Sequence, residues 1–198
     1  MKLTRHNGRS GKNGTYNPKH NDRRFDIANS EHIDQERAKQ NVYWDCYYAQ
    51  EFGQRLKGFS SRALQIPWQL DDGYDALLPV MQTDITLAYG NQTLIIDAKY
   101  YERTLQTNFD VQTLHSGNMY QIFTYVKNKE AELQGTGHKV SGMLLYAKTE
   151  EDLVPDNVYQ MSGNQISVKT LDLNQEFSEI QNQLNKIVKD HFGISIRQ

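Results

Sequence analysis

Asp84, Asp97 and Lys99 are the residues of this chain whose types and spacing could do chemistry together. Two β-rich runs, Val80–Tyr89 and Gln92–Tyr100, flank Gly90-Asn91, a dipeptide suited to a two-residue hairpin turn. With those two residues as the turn, Tyr89 faces Gln92 and every facing pair sums to 181. Asp84 then faces Asp97 on one side of the ribbon, with Cβ atoms about 4.5–5.5 Å apart. Lys99, two residues beyond Asp97, points to that same side. Facing acids repel, and a divalent cation would remove that penalty while using both carboxylates as hard oxygen ligands. Magnesium suits a pair of carboxylates, with phosphate and water completing its shell. Lys99 would orient water or stabilise charge building on a phosphate, which is machinery for hydrolysing a phosphodiester. The same residues also suit a surface hairpin with two solvated acids bridged by a lysine. A register slip of one residue would move Asp84 to the other side.

The elements that must position these groups follow from periodicity. Downstream, Met119, Ile122, Phe123 and Val126 have helical spacing, and Gln121 and Tyr125 stand four apart, so one helix face can present both toward the hairpin. An ordinary, partly buried polar pair has the same spacing. A helix is expected from Asp34 to about Lys57, with Val42, Cys46, Ala49, Phe52 and Leu56 as its stripe and Gly58 as its stop. Ala63–Trp68 reads as a short strand before the turn Asp71-Asp72-Gly73, and Val140–Lys148 as another strand. A second hairpin is expected around Ser162-Gly163-Asn164, joining Val158–Met161 to Ile166–Leu173. The end reads as an amphipathic helix with Phe177, Ile180, Leu184, Ile187 and Val188 in one stripe. This order argues for an α/β or α+β sheet covered by helices.

Asp84 followed by Ile95-Ile-Asp-Ala-Lys resembles the core of the PD-(D/E)xK, or restriction-type, nuclease superfamily, and Gln121-Ile-Phe-Thr-Tyr is similar to the Gln-x-x-x-Tyr signature of its RecB-like branch. Longer segments carry the resemblance further: Trp68-Gln-Leu-Asp-Asp-Gly, Leu78-Pro-Val-Met-Gln-Thr-Asp-Ile, Leu94-Ile-Ile-Asp-Ala-Lys-Tyr-Tyr, Gly117-Asn-Met-Tyr-Gln-Ile-Phe-Thr-Tyr-Val-Lys-Asn, Val140-Ser-Gly-Met-Leu-Leu-Tyr-Ala-Lys and Asp156-Asn-Val-Tyr-Gln-Met-Ser-Gly. Together they resemble the McrC family, nuclease subunits of McrBC systems that restrict DNA carrying modified cytosine, over about residues 47–198. The resemblance implies an α/β, restriction-endonuclease-like (PD-(D/E)xK) core with a mixed sheet flanked by helices. It implies a Mg²⁺-dependent endonuclease, with Mn²⁺ as a substitute ion, in which Asp84 and Asp97 hold metal, Lys99 is the catalytic lysine, and Gln121 and Tyr125 support the site. It implies DNA and a McrB-type AAA+ GTPase as partners, and a cytoplasmic location. It also leads us to expect the motor-docking region of the family to be missing here. The family's helix acid would fall near Asn41, with Asp45 or Glu51 as substitutes. A domain over 34–198 that keeps the nuclease fold without catalysis is the competing expectation.

The chain has 198 residues, a length that fits one domain. Its single cysteine excludes an intramolecular disulfide and disfavours a thiolate zinc site. Mean hydropathy is −0.76, and no apolar run reaches the length of a membrane span. Residues 1–24 hold seven Lys/Arg against one acid, net +6, whereas residues 51–198 are net −5. Residues 1–33 therefore read either as a basic arm able to release counterions from nucleic acid or as a solvated, disordered leader. Arg5-His-Asn-Gly-Arg-Ser-Gly-Lys, Lys19-His-Asn-Asp-Arg, Glu31-His-Ile-Asp and Asn41-Val-Tyr-Trp resemble the start of MobA/MobL-type plasmid mobilisation proteins. His6, His20 and His32 are 14 and 12 residues apart, with no His-x-His pair, so they read as leader residues rather than metal ligands. Relaxase-type nicking would instead leave a covalent tyrosine–DNA adduct, which is not expected.

Overall fold

The computed structural model describes residues 59–100, 104–108, 111–149 and 154–194. The helix expected at 34–57, the acids sought near Asn41, Asp45 and Glu51, and the basic leader lie outside the described residues. Among the described residues, ten strands and two helices follow in chain order: β1 (Phe59–Arg62), β2 (Gln65–Ile66), β3 (Met81–Gln82), β4 (Ile85–Tyr89), β5 (Gln92–Lys99), β6 (Leu105–Asn108), β7 (Val111–Leu114), α1 (Ser116–Glu132), β8 (Lys139–Ala147), β9 (Asn157–Met161), β10 (Asn164–Leu171) and α2 (Phe177–Phe192). Six strands form one mixed sheet in the order β1-β4-β5-β8-β10-β9, while β2-β3 and β6-β7 are separate two-stranded sheets. This is an α/β architecture, a mixed sheet flanked by helices, compatible with a restriction-endonuclease-like core.

The first hairpin has the register its turn dictates: Tyr89 pairs with Gln92 and Ile85 with Ile96. Gly90 sits at φ +60°, as a turn with its glycine in the first central position requires. From β5 the chain crosses over through α1 to β8, which pairs with β5 in parallel. β5, β8 and β10 thus occupy the interior of the sheet. Their apolar runs, Leu94-Ile-Ile and Met143-Leu-Leu-Tyr, are buried on both sides, as central strands covered by helices must be.

Alternation along the strands sorts the core into two halves. Leu94, Ile96, Met143 and Leu145 pack with Leu184, Val188 and Phe192 of α2. Ile95, Leu144, Tyr146, Ile166 and Val168 pack with Ile122, Tyr125 and Val126 of α1. α1 lies close because Gly142 has no side chain. A Cβ there would come within 2.8 Å of Ile122 and Val126 and within 2.9 Å of Ile166.

Several expected elements differ in the structure. The strand expected over Ala63–Trp68 shrinks to Gln65–Ile66, and Val80–Tyr89 is broken at Thr83-Asp84 into β3 and β4. Thr83 causes the break: its N–H and hydroxyl both bond to Leu64, at 2.9 and 3.2 Å, drawing the chain toward β2. The second hairpin turns on Ser162-Gly163 alone, with Asn164 already in β10. On α2 the buried stripe is Leu184, Val188 and Phe192, and Phe177 is 51% exposed because it starts the helix beyond the sheet. β1 and the β6-β7 hairpin carry no alternation strong enough to be read beforehand.

Candidate active site

Asp97 and Lys99 alternate with Ile96 and Ala98 along β5, so both point to the α1 side of the sheet. Both are buried, at 1% and 6% exposure. Lys99 Nζ lies 2.5 Å from Asp97 Oδ2. That buried oxygen is held by the lysine's charge rather than by any other described side chain or backbone group. Asp84 stands one step past the last rung of the hairpin, Ile85 with Ile96. Its Oδ2 accepts a 2.8 Å hydrogen bond from Ala98 N–H, which fixes the carboxylate over the β5 backbone next to Asp97.

α1 completes the line. Lys99 Nζ donates to Gln121 Oε1 at 3.0 Å, and Gln121 Nε2 donates to Tyr125 OH at 2.9 Å. Gln121 and Tyr125 share a helix face because they are four residues apart. Lys99, a donor only, settles which way the Gln121 amide faces: Oε1 must accept from it, which leaves Nε2 to donate to the phenol. The five residues singled out from the sequence therefore converge on one patch.

Burial pushes the Asp97 carboxyl up to about 6 from an ordinary 3.8; Lys99 pulls it down and Asp84 pushes it up again. A carboxylate pair in which one member resists ionisation has surplus negative charge to offset. A divalent cation fits this donor set. Two carboxylates meet, Asp97 is buried, and both are hard oxygen ligands. Among the described residues no group of three or more His, Cys, Asp and Glu gathers at one point, so Asp84 and Asp97 are the acids available there.

Two further residues belong to the patch and were not anticipated. Asn118, three residues before Gln121, donates from Nδ2 to Tyr146 OH at 2.9 Å. Both side chains are buried. Tyr146 pairs with Lys99 across the parallel β5-β8 register. The helical spacing Asn118–Gln121–Tyr125 was there to be seen. The Tyr146 partnership was not, because a crossover helix leaves the register of a parallel pair open, whereas a two-residue turn fixes that of a hairpin. A recess of about 300 Å³ lies elsewhere, between α2 and β9-β10, lined by Met143, Ser167, Lys169, Ile187 and His191 among others. It holds none of the site residues.

No family model matches the chain. Among curated proteins, the Type IV methyl-directed restriction enzyme EcoKMcrBC of Escherichia coli (strain K12) is 32% identical over 115 residues. The match takes in 58% of this chain and 32% of that protein, so the chain spans about a third of the length of the relative it matches. The likeness points to a component of a restriction system at a coarse level.

Proposed function

We propose that this chain is a Mg²⁺-dependent endonuclease acting on DNA within a methyl-directed restriction system. The observation that carries this reading is the line Asp97–Lys99–Gln121–Tyr125, buried at Asp97, Lys99 and Tyr125, with Asp84 fixed beside it. A charged lysine is held in a protein core by an acid and an amide that is itself held. Stability alone gives little reason to keep such an arrangement, since apolar residues of similar volume often do as well there.

Asp84 and Asp97 would hold the ion, which when bound supplies charge neutralisation at a phosphate and a lowered pKa for water. The protein's own part is positional. Ala98 N–H locks the Asp84 carboxylate, and β5 places Asp97 and Lys99 on one side. Gln121 holds Lys99 Nζ where it can donate to a non-bridging phosphate oxygen as charge develops. Tyr125 anchors the other end of that amide by accepting from its NH₂. Hydrolysis then joins a water oxygen to phosphorus and breaks one P–O bond, the departing oxygen leaving with a proton. A McrB-type AAA+ GTPase is the partner this reading expects.

Lys99→Ala is expected to slow nicking of supercoiled plasmid in Mg²⁺ by about 10²–10³-fold, the scale of losing one preorganised donor at a developing charge. Equal nicking by that variant removes the assignment. A second reading, a non-catalytic subunit keeping the fold, is favoured by the two-acid donor set among the described residues. Mg²⁺ that binds the folded state must raise the melting temperature. No rise for the parent chain would favour the second reading, and a rise lost in Asp84→Ala would favour the first.

A further inference from the structure

The first hairpin stops one rung early, and the place its next hydrogen bonds go instead bears on Asp84. A two-residue turn makes the residues that flank it, Tyr89 and Gln92, a pair that exchanges both backbone hydrogen bonds. Such pairs recur at every second rung: Leu87 with Leu94, Ile85 with Ile96, and next in line Thr83 with Ala98. The ladder ends at Ile85 with Ile96, yet both amides of the following rung are bonded. Thr83 N–H, which would go to Ala98 O, goes to Leu64 O at 2.9 Å. Ala98 N–H, which would go to Thr83 O, goes to Asp84 Oδ2 at 2.8 Å. Thr83 has passed to the β2-β3 ladder, whose rungs are Ile66 with Met81 and Gln65 with Gln82. Its buried hydroxyl secures the transfer. Oγ1 accepts from Leu64 N–H at 3.0 Å and donates to Leu64 O at 3.2 Å. Its one proton is then committed, so the 3.0 Å contact with Thr86 Oγ1 has Thr86 as donor.

We propose that Thr83 is a positioning residue for Asp84: its hydroxyl holds the strand on Leu64, keeps the Thr83–Ala98 rung open, and so turns the Asp84 carboxylate onto Ala98 N–H, in the pose that receives a divalent cation. This rests on the nuclease reading above. Ala98 is buried, and a buried N–H without an acceptor is costly. Once Thr83 O is withdrawn, the amide therefore draws the adjacent carboxylate to itself, and an ionised acceptor makes the stronger bond. Had the rung closed, Ala98 N–H would be spent on Thr83 O and nothing on β5 would hold that oxygen of Asp84. The hold matters to an ion because a carboxylate bonded to an amide keeps its orientation before the ion arrives, and partners behind metal ligands set affinity. Position 83 needs a hydroxyl for this. It must accept and donate at once, which serine can do and valine cannot.

The test titrates Mg²⁺ alone into the full chain by calorimetry. It compares the parent with Thr83→Val, which keeps the branched shape, and Thr83→Ser, which keeps the hydroxyl. Thr83→Val is expected to bind Mg²⁺ at least about tenfold more weakly, the scale of losing a partner behind a metal ligand, and Thr83→Ser to restore the affinity. A threonine that merely ended a strand would leave Mg²⁺ affinity alike in all three. Hydrogen exchange of the metal-free chain, followed by NMR, gives a second reading that leaves Thr83 in place and so holds even where Thr83→Val does not fold. Ala98 N–H is expected to be protected in the parent and to exchange about tenfold faster in Asp84→Ala, because Thr83 stays on Leu64 and offers no substitute acceptor. Parent-like Mg²⁺ binding by Thr83→Val, binding as weak in Thr83→Ser as in Thr83→Val, or unchanged Ala98 protection in Asp84→Ala would overturn the positioning role alone. A parent chain that binds no Mg²⁺ would sink the nuclease reading and the positioning role with it.

Discussion

The two sides of the central sheet are built to different rules. Facing α2, Leu94, Ile96, Leu145, Leu184 and Val188 form an apolar cluster in which no charged side chain is buried among the described residues, Ser167 contributing a buried hydroxyl. Facing α1, an equally buried cluster is interrupted by Asp97, Lys99, Asn118 and the Tyr146 hydroxyl. The same strand, β5, supplies both sides by simple alternation. Removing an ion from water is costly, so the polar side gives up stability that the apolar side must make good. We read the α2 side as what holds the sheet together and the α1 side as what the sheet is for.

The largest expected effects separate the two sides outright. Ile96→Ala removes a fully buried side chain from the α2 side and should cost about 2–5 kcal/mol of stability, read as a shift in urea midpoint. Asp97→Asn/Lys99→Met, which removes the buried pair together, should leave stability equal or higher at pH 7.5, because no unpartnered charge stays behind in the core. If both variants lost stability alike, the division of labour would be wrong.

The next effect concerns pH. On the α2 side, burial lowers His191 to about 4 from an ordinary 6.5. A histidine whose folded pKa is depressed contributes stability that is complete above the unfolded value and is lost as pH falls from about 6.5 toward 4. Between pH 7.5 and pH 5 the chain should lose about 2 kcal/mol through this group. His191→Gln should flatten that part of the profile, checked by urea midpoints at both pH values.

Gly142→Ala should destabilise by about 1–3 kcal/mol, because Ile122, Val126 and Ile166 must give way to the added methyl. Its interest is directional: pushing α1 off the sheet moves Gln121 away from Lys99, so nicking should fall further than the melting temperature suggests. The smallest effect is Tyr125→Phe, which removes one 2.9 Å hydrogen bond. It should cost about 0.5–1.5 kcal/mol in stability, or a few-fold in nicking rate, by freeing the Gln121 amide to turn.

How much of this was legible in the residues differs between the sides as well. A two-residue turn fixes every rung of its hairpin, so the convergence of Asp84, Asp97 and Lys99 could be computed, and four-residue spacing placed Gln121 and Tyr125 on one helix face. The amphipathic stripe of α2 gave Leu184 and Val188, though not the exposure of Phe177, since a stripe does not say where the helix overhangs the sheet. Tyr146 and Asn118 stayed hidden because the parallel register of β5 and β8 is set by packing around Gly142, a contact between residues far apart in sequence. The β6-β7 ribbon stayed hidden for a related reason. Its two middle rungs pair polar with polar residues and its apolar residues, Leu105, Leu114 and Val111, stand at the strand ends, so no apolar alternation announces the strands.

The most direct test of the α1-side account is plasmid cleavage in Mg²⁺ by the purified chain beside Asp97→Ala. We expect the parent chain to convert supercoiled DNA to the nicked form and the variant to lose that conversion while keeping its helix content by circular dichroism. Cleavage that continues unchanged in Asp97→Ala would contradict the account.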